Sequence, residues 1–284
     1  MTLELFAPAA AYSAPKGTGP AAAPRRRAAA ATLRTILRGA ALPALGLALW
    51  WAAYRFRWTD SQLFVPLSQV WETGLRLSAN GVLWEALGAS LRRQTSGFLL
   101  GSTAGLVFGT ALGLSRWFDR LVGPSFHTIK QVSLLAWIPL ISVWFGLGDA
   151  AKVAFLSLAA FFPVVLNTFE GIRSVPRELT EVARVFAFSR WQLIRRVVLP
   201  GALPSIFTGI YLALLYSWLA TLGAEYLLTS GQGIGNLLVD GREHFWMDQV
   251  LLGVVVVGAV GFLLNLGAAA MESRLLRWRG PART

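Results

Sequence analysis

The segment PRELTEVARVFAFSRWQLIRRVVLP, residues 176–200, is densely charged within a chain that is otherwise mostly apolar. Its first half predicts an amphipathic helix, because apolar residues recur at positions i, i+3, i+4 and i+7 of one helical face. These residues are Leu179, Val182, Ala183 and Phe186. The opposite face carries Glu178 and Glu181, so the helix suits a groove on another protein. A helix lying on anionic lipid is the alternative, which the two glutamates oppose.

The second half of the segment predicts another short helix, which is basic. Ser189 and Gln192 have the spacing of a capping box, which favours a helix start at this point. Pro200 and Pro204 follow, and they are expected to bend the chain into the next apolar stretch. The sequence therefore predicts two short surface helices joined by a turn near Ala187.

The rest of the chain has the composition of a membrane protein. Only 14% of the 284 residues are charged and 55% are hydrophobic, whereas soluble domains carry about a quarter charged residues. Three windows without any charge are each long enough to cross a hydrocarbon core of about 30 Å as a helix: 94–115, 197–224 and 249–271. Three shorter windows are 39–54, 131–148 and 153–169. We predict an all-α membrane protein with six transmembrane helices, the third and fourth forming a hairpin through the connector GLGDAAK.

The distribution of basic residues predicts the orientation. Most of the 26 Lys and Arg residues lie before residue 38, at 115–130, at 172–200 and after 273. The positive-inside rule places these regions, and both termini, in the cytoplasm. The net charge of +12 is then a consequence of topology and does not indicate nucleic acid as a partner.

These features divide the chain into four regions. We predict a disordered cytoplasmic tail at 1–35, a first transmembrane helix with a periplasmic interfacial segment at 36–83, and a cytoplasmic tail at 273–284. Between them, 84–272 forms the transmembrane core, with a cytoplasmic loop at 173–203. The outward stretch from Arg55 to Arg93 mixes Trp and Leu with charges, which predicts short amphipathic helices at the membrane interface.

Small residues and prolines mark two of the predicted spans. Glycines at every fourth position leave one face of the second span nearly bare, so that a neighbouring helix can approach closely: Gly97, Gly101, Gly105, Gly109 and Gly113. We favour packing within the chain over dimerisation for this ladder. Pro139 and Pro163 lie inside the third and fourth spans, where packing is favoured over a role in a pathway.

Familiar catalytic and cofactor motifs are absent from the sequence. The chain has no cysteine and no Gly-Lys dipeptide, which excludes thiolate chemistry and a Walker A loop. His127 and His244 lie in loops predicted on opposite sides of the membrane, so no metal site is expected. Glu170 and Glu225 lie only near span ends, which disfavours a proton or ion relay. The sequence therefore indicates neither an enzyme nor a cofactor, and leaves an ion-driven secondary transporter and a membrane scaffold as rival hypotheses.

The charged segment resembles the EAA loop of ABC-importer permeases, E-A-A-x₃-G-x₉-I-x-L-P. The matching residues are Glu181, Val182, Ala183, Ala187, Val197, Leu199 and Pro200. Ala187 replaces the family glycine, a residue that tolerates left-handed turns. Either this turn has ordinary dihedral angles, or the bend has moved to Phe188 and Ser189.

A longer resemblance covers about residues 60–279. The stretches IPLISVWFGLGDAAKVAF, FFPVVLNTFEGIRSV and VLPGALPSIFTGIYLAL are similar to permeases of the nitrate/sulfonate/taurine/bicarbonate type, and most similar to aliphatic sulfonate permeases. The resemblance implies the type I ABC-importer permease fold in the bacterial inner membrane. The implied partners are a cytoplasmic ABC ATPase dimer, a periplasmic substrate-binding protein, a second copy of the chain and a small anionic substrate. Taurine, nitrate, bicarbonate or a thiamine precursor are alternative substrates.

The resemblance also implies roles for individual residues. The residues expected to couple to the ATPase are Glu178, Glu181, Val182, Ala183, Phe186, Ala187, Ser189 and Pro200. The residues expected along the pathway are Ser142, Trp144, Asn167, Thr221 and Glu225. We expect this pathway to offer hydroxyls, amides and aromatic edges, without a fixed cation. For Glu225, a carboxylate held by backbone N–H groups is an equally good interpretation.

Overall fold

The computed structural model describes residues 41, 45–46, 48–53, 55–56, 65–228 and 230–275. The chain divides into two units, residues 1–60 and 61–284. In the first unit, the described residues are helical except for a turn at Phe56. The predicted tail at 1–35 and most of the tail at 273–284 lie outside the described residues, as does part of the predicted span at 39–54.

The described part of the second unit is built from helices, with no strand. The helices are α1 (Leu67–Ala79), α2 (Val82–Leu114), α3 (Arg116–Ile129), α4 (Ile138–Phe145), α5 (Asp149–Arg173), α6 (Arg177–Val185), α7 (Arg190–Leu193), α8 (Leu199–Leu227), α9 (Ile234–Glu243) and α10 (Met247–Leu275). A 3₁₀ turn, Leu134–Trp137, leads into α4, and a π-helical turn, Ile194–Val198, joins α7 to α8. The predicted all-α class is thus confirmed for the described residues.

Four helical segments are long and apolar enough to cross a membrane. They are α2, α5, the continuous helix Arg190–Leu227 and Met247–Glu272. A fifth span results if α3 and the segment Leu134–Phe145, which meet at 98°, count as one broken span. The sixth span of the prediction rests on the first unit, where too few residues are described to test it.

The start of α2 at Val82 lies two residues before the predicted start of the core at residue 84. The sequence predicted short interfacial helices as far as Arg93, but residues 82–93 form the first turns of this 33-residue helix. The periodicity there is helical, and Gly81, with a positive φ of 77°, provides the break that separates α2 from α1. The amphipathic prediction does hold for α1, which buries Val70 and Thr73 and exposes Trp71.

The junction between the charged segment and α8 also differs from the prediction. No sharp bend occurs at Pro200 or Pro204, because α7, the π-helical turn and α8 form one 38-residue helix. A proline ring collides with the carbonyl four residues earlier in a regular α-helix. The turn widens just before Pro200, where the Leu199 N–H donates to the Ile194 carbonyl five residues back. The widened turn accommodates the proline and keeps the helix continuous.

The glycine ladder of α2 lies directly against α5. A Cβ atom built on Gly97 would lie 2.5 Å from the Leu156 Cβ, and one on Gly109 would lie 2.7 Å from the Val165 carbonyl oxygen. At Gly101 it would overlap the Ser157 carbonyl. The ladder therefore packs within the chain, as predicted.

The other side of α5 packs against α8, which makes α5 the central helix of the described core. A Cβ atom on Gly209 would meet Asn167 at 2.7 Å, so the two backbones approach closely there as well. On its far side α8 contacts α10, where the Trp218 indole Nε1 donates to the Val257 carbonyl at 3.2 Å. The helix order α2, α5, α8, α10 places the end of the charged segment beside the centre of the fold.

Substituting Gly101 by Ala should lower the free energy of unfolding by about 1–3 kcal/mol, because the added methyl group overlaps the α5 backbone. The matched control is Gly88→Ala in the same helix, where no atom lies within 4 Å of the new Cβ. That control should gain up to about 1 kcal/mol from helix propensity. Thermal unfolding of the detergent-solubilised variants measures both, and equal shifts would contradict the close contact.

Candidate functional site

The turn between α6 and α7 is built on an alanine in the left-handed conformation. Ala187 has a φ of 54°. Its N–H donates to the Arg184 carbonyl at 2.9 Å, and the Phe188 N–H donates to the Ala183 carbonyl at 3.0 Å. These two bonds form a Schellman motif, which usually requires glycine at this position. Both alternatives given by the sequence are therefore wrong, since the dihedral angles are not ordinary and the bend has not moved.

The start of α7 is capped as the sequence predicted. The Gln192 N–H donates to the Ser189 Oγ at 3.3 Å, and the Ser189 N–H donates to the Gln192 Oε1 at 2.9 Å. Together they form the reciprocal capping box. The Schellman motif and this box fix the hairpin of α6 and α7 from both sides of the turn.

The hairpin presents apolar and acidic side chains to its surroundings. Phe186 is 70% exposed, and Leu179, Val182, Val185 and Trp191 are also exposed. Glu178 and Glu181 are exposed beside them. We call these seven residues the loop face. Exposed apolar side chains clustered in this way mark interaction sites.

The other residues predicted to couple to the ATPase, namely Ala183, Ala187, Ser189 and Pro200, lie outside the loop face. Ala183 is only 4% exposed, so it packs α6 against the rest of the chain instead of offering contact area. Ala187 and Ser189 shape the turn, and Pro200 follows the π-helical turn at the start of α8.

The predicted pathway residues are not brought together. Ser142 donates to the Pro139 carbonyl at 2.8 Å and Thr221 to the Ser217 carbonyl at 2.9 Å, both within their own helices. Trp144 is exposed on α4, and Glu225 is buried at the far end of α8. Of the five candidates, Asn167 lines a groove between α5 and α8.

This groove has a volume of about 540 Å³. It is bounded by the central turns of α5 and α8 and by the break between α3 and α4, and its walls are mostly apolar. We call it the membrane groove, and its lining includes Lys130, Phe162, Leu166, Asn167, Leu212, Tyr216 and Leu219.

A buried ion pair holds the opposite end of α8. The Arg93 Nη1 lies 2.9 Å from the Glu225 Oε1, and the Glu225 side chain is only 1% exposed. The same carboxylate accepts hydrogen bonds from the Ser90 Oγ at 2.7 Å and the Gly235 N–H at 2.8 Å. The Arg93 Nε also donates to the Asp149 Oδ1 at 2.7 Å. The carboxylate is thus fully engaged and does not face the membrane groove.

The glycine-rich stretch before α9 closes over this ion pair. A Cβ atom on Gly233 would overlap the Glu225 carboxylate. The Ile234 N–H donates to the Ser90 Oγ at 2.9 Å, and the Lys152 Nζ donates to the Ser230 carbonyl at 2.6 Å. Among the described residues, the Glu225 carboxylate thus has one backbone N–H donor, that of Gly235, and two side-chain donors, Ser90 and Arg93.

Sequence reasoning missed Ser90, Arg93, Asp149 and Lys152 as members of this cluster. A signal was available, because Arg93, Lys152 and Glu225 each bound an uncharged window at the same predicted face of the membrane. Charges that end neighbouring spans at one face of the membrane can pair with each other.

Comparison with known proteins identifies the family. Residues 97–277, which include the loop face and the membrane groove, match the family described as binding-protein-dependent transport system inner membrane component. The chain belongs to this family. It is therefore a multi-pass membrane protein, an ABC-importer permease subunit, as its helices and EAA-type loop predicted.

Similar proteins cover most of the chain. A putative aliphatic sulfonates transport permease protein of Bacillus subtilis (strain 168) is 36% identical over 243 residues, 86% of this chain and 88% of the relative. One with the same description from Escherichia coli (strain K12) is 37% identical over 237 residues, 84% and 90% of the two chains. The fold resembles a solved amino acid ABC transporter, with a TM-score of 0.59 and 16% identity over 72% of this chain and 97% of the other.

Substituting Ala187 by Gly should raise the free energy of unfolding by about 1 kcal/mol, because glycine avoids the steric cost of a left-handed L-residue. Ala183→Gly, four residues earlier inside α6, should instead lower it by about 1 kcal/mol or more. Hydrogen exchange of the backbone amides at 182–190 reports both changes. Loss of protection in both variants would contradict the Schellman turn.

Substituting Arg93 by Met should lower the free energy of unfolding by about 3–5 kcal/mol, because it leaves a buried carboxylate without its counter-charge. Asp149→Asn removes the other partner of Arg93, but the Asp149 side chain is 67% exposed. Its loss should stay below about 1 kcal/mol. Denaturant titration in micelles compares the two, and a comparable loss in both would argue against the buried pair.

Proposed function

We propose that this chain is the membrane subunit of an ATP-driven importer of aliphatic sulfonates in the bacterial inner membrane, with both termini in the cytoplasm. Two copies form the pathway, an ABC ATPase dimer binds the 173–203 loop of each copy, and a periplasmic binding protein delivers the substrate. The observation that carries the proposal is the loop face, an apolar and acidic surface on a hairpin that is capped on both sides of its turn.

The loop face has the composition of a docking surface. Val182, Phe186 and Trp191 supply apolar area, and exposed aromatic side chains often anchor protein interfaces. The carboxylates of Glu178 and Glu181 stand beside them without a salt bridge to any described residue. They are available to basic groups in a cleft on the ATPase, and charge complementarity of this kind fixes the register of docking.

One continuous helix connects the hairpin to the membrane groove. Arg190–Leu227 runs without a break from the loop face past Leu212, Tyr216 and Leu219. A displacement of the hairpin by the ATPase is therefore passed to the groove without a flexible joint. Closure of the ATPase dimer would move two such helices together, which is rigid-body alternating access.

The proposed substrate class is supported by two relatives that are described as putative aliphatic sulfonates transport permeases. Taurine, nitrate, bicarbonate and a thiamine precursor are the alternatives for the same machinery. The subunit itself is non-catalytic in this proposal, since ATP hydrolysis belongs to the partner. An ion-driven secondary transporter fits less well, because no carboxylate of the described residues lines the membrane groove and Glu225 is held in a buried ion pair.

The test is Glu181→Arg in the reconstituted complex of two permeases, two ATPases and binding protein. Reversing this charge should reduce binding-protein-stimulated uptake by about tenfold or more, the effect of losing about 1.4 kcal/mol of docking energy. Glu170→Arg is the control, because Glu170 is an exposed carboxylate near the end of α5 that leads into the loop, but it lies outside the loop. Undiminished uptake by the Glu181 variant would overturn the coupling role.

The same preparation identifies the substrate. Uptake of ethanesulfonate, taurine, nitrate and bicarbonate is compared at equal concentration. Each is presented with the binding protein of the same complex. The proposal requires ethanesulfonate to be the best substrate. ATP-independent uptake driven by an ion gradient would replace it with the secondary-transporter hypothesis.

A further inference from the structure

Lys130 lines the membrane groove, although the positive-inside pattern predicted residues 115–130 in the cytoplasm. Lys130 lies at the break between α3 and the 98° turn into α4, and it shares the groove with Asn167 of α5 and Tyr216 of α8. Both of these residues belong to long spanning helices, away from the helix ends. Ionisable residues at such depth are costly and usually functional. The sequence predicted a pathway without a fixed cation, so a role of this groove in the pathway would depart from that prediction.

The charge of Lys130 is not neutralised by the part of the chain that the structure describes. Its side chain has no salt bridge there, and no acidic residue lines the groove. The Asn167 Nδ2 is already engaged with the Pro163 carbonyl at 2.9 Å. Lys130 is thus a cation in a mostly apolar groove, without a counter-charge among the described residues.

The groove combines this cation with apolar walls of suitable size. Phe162, Leu166 and Leu212 form much of the wall. A volume of about 540 Å³ lies within the range of small-molecule sites, about 300–1,000 Å³. A ligand that uses both features has an anionic head and a short aliphatic part.

We propose that the membrane groove binds an alkyl anion in transit, with the Lys130 ammonium paired to its head group. The Tyr216 hydroxyl donates a hydrogen bond to the same head group, and the phenylalanine and leucine walls hold the aliphatic part. This inference rests on the proposed function and adds an internal site to it. Because Tyr216 lies on the helix that continues from the loop face, movement of that helix changes the distance between the two head-group partners.

A thiol reporter tests the site without any partner protein. The chain contains no cysteine, so Leu166→Cys introduces a single thiol into the groove of the full-length protein. Methanethiosulfonate reagents that carry an ethylsulfonate or an ethyltrimethylammonium group then compare access for an anion and a cation. The ratio of anion to cation rates should fall by about tenfold when Lys130→Met is added, since a charge in a cleft concentrates counter-ions by that factor or more.

Arg120→Met is the matched control for this experiment. Arg120 is an exposed residue of α3 that does not line the groove, and its loss should leave the rate ratio unchanged. Lys130→Arg should preserve the ratio, because the charge remains. An equal fall in the Arg120 and Lys130 variants, or no fall in either, overturns the proposal.

The lipid composition separates a transported anion from a lipid head group. In nanodiscs of neutral phosphatidylcholine, hexanesulfonate should protect the introduced thiol of the Leu166→Cys protein from the anionic reagent. Protection by added phosphatidylglycerol, with none by hexanesulfonate, would make the groove a lipid site and overturn the proposal.

Transport by the reconstituted complex distinguishes failure of this site from failure of the proposed function. Ethanesulfonate uptake per ATP hydrolysed should fall about tenfold in Lys130→Met, the effect of about 1.4 kcal/mol of lost pairing. It should be unchanged in Arg120→Met. If the wild-type complex transports and the two variants match it, only the Lys130 site is wrong. If the wild type shows no ATP-dependent uptake while the thiol ratio still depends on Lys130, the importer proposal fails and the anion site stands.

Discussion

The contact between the bare face of α2 and the backbone of α5 is the constraint on which the rest of the fold depends. Within a bilayer the hydrophobic effect does not drive helices together, so close van der Waals contact must do so. The ladder from Gly97 to Gly113 provides this contact along the C-terminal half of α2. It fixes α5 in the centre of the described core, and α5 in turn presents Gly171 and Asn167 to α8. The positions of the loop face and the membrane groove both follow from that order.

In the hairpin of α6 and α7, the turn keeps its geometry although the backbone conformation of its central residue is unfavourable. Ala187 adopts the left-handed conformation, which is favourable for glycine and unfavourable for alanine. Both hydrogen bonds of the turn are nevertheless formed. The surrounding contacts must over-determine this backbone, because the strain persists in the folded chain. Buried Ala183 and the reciprocal bonds of Ser189 and Gln192 supply such contacts on either side. The shape of the hairpin is thus maintained by its neighbours rather than by the preference of its central residue.

Local sequence patterns correctly predicted the features that depend on residues close together in the chain. The amphipathic α6, the capping box at Ser189 and the glycine ladder are each determined by residues within one or two turns, and each was found in the structure. The sequence did not predict the helix that continues through Pro200, because a π-helical turn compensates for the proline in a way that composition does not reveal. It also missed the partners of Glu225 and the position of Lys130. Those depend on how separate spans align in depth, which no single segment determines.

The ion pair of Arg93 and Glu225 limits the ways in which this protein can change shape. It joins α2 to α8 at one end, and Asp149 and Lys152 bring α5 into the same cluster. Sliding α2 past α8 would separate the buried charges of Arg93 and Glu225 where water cannot replace them, a cost of several kcal/mol. Together with the close glycine contacts, this ion pair makes α2, α5 and α8 one rigid unit. In the proposed importer, the pathway would then open to the two faces of the membrane in turn by relative motion between this rigid unit and its neighbours, including the same unit of the second copy.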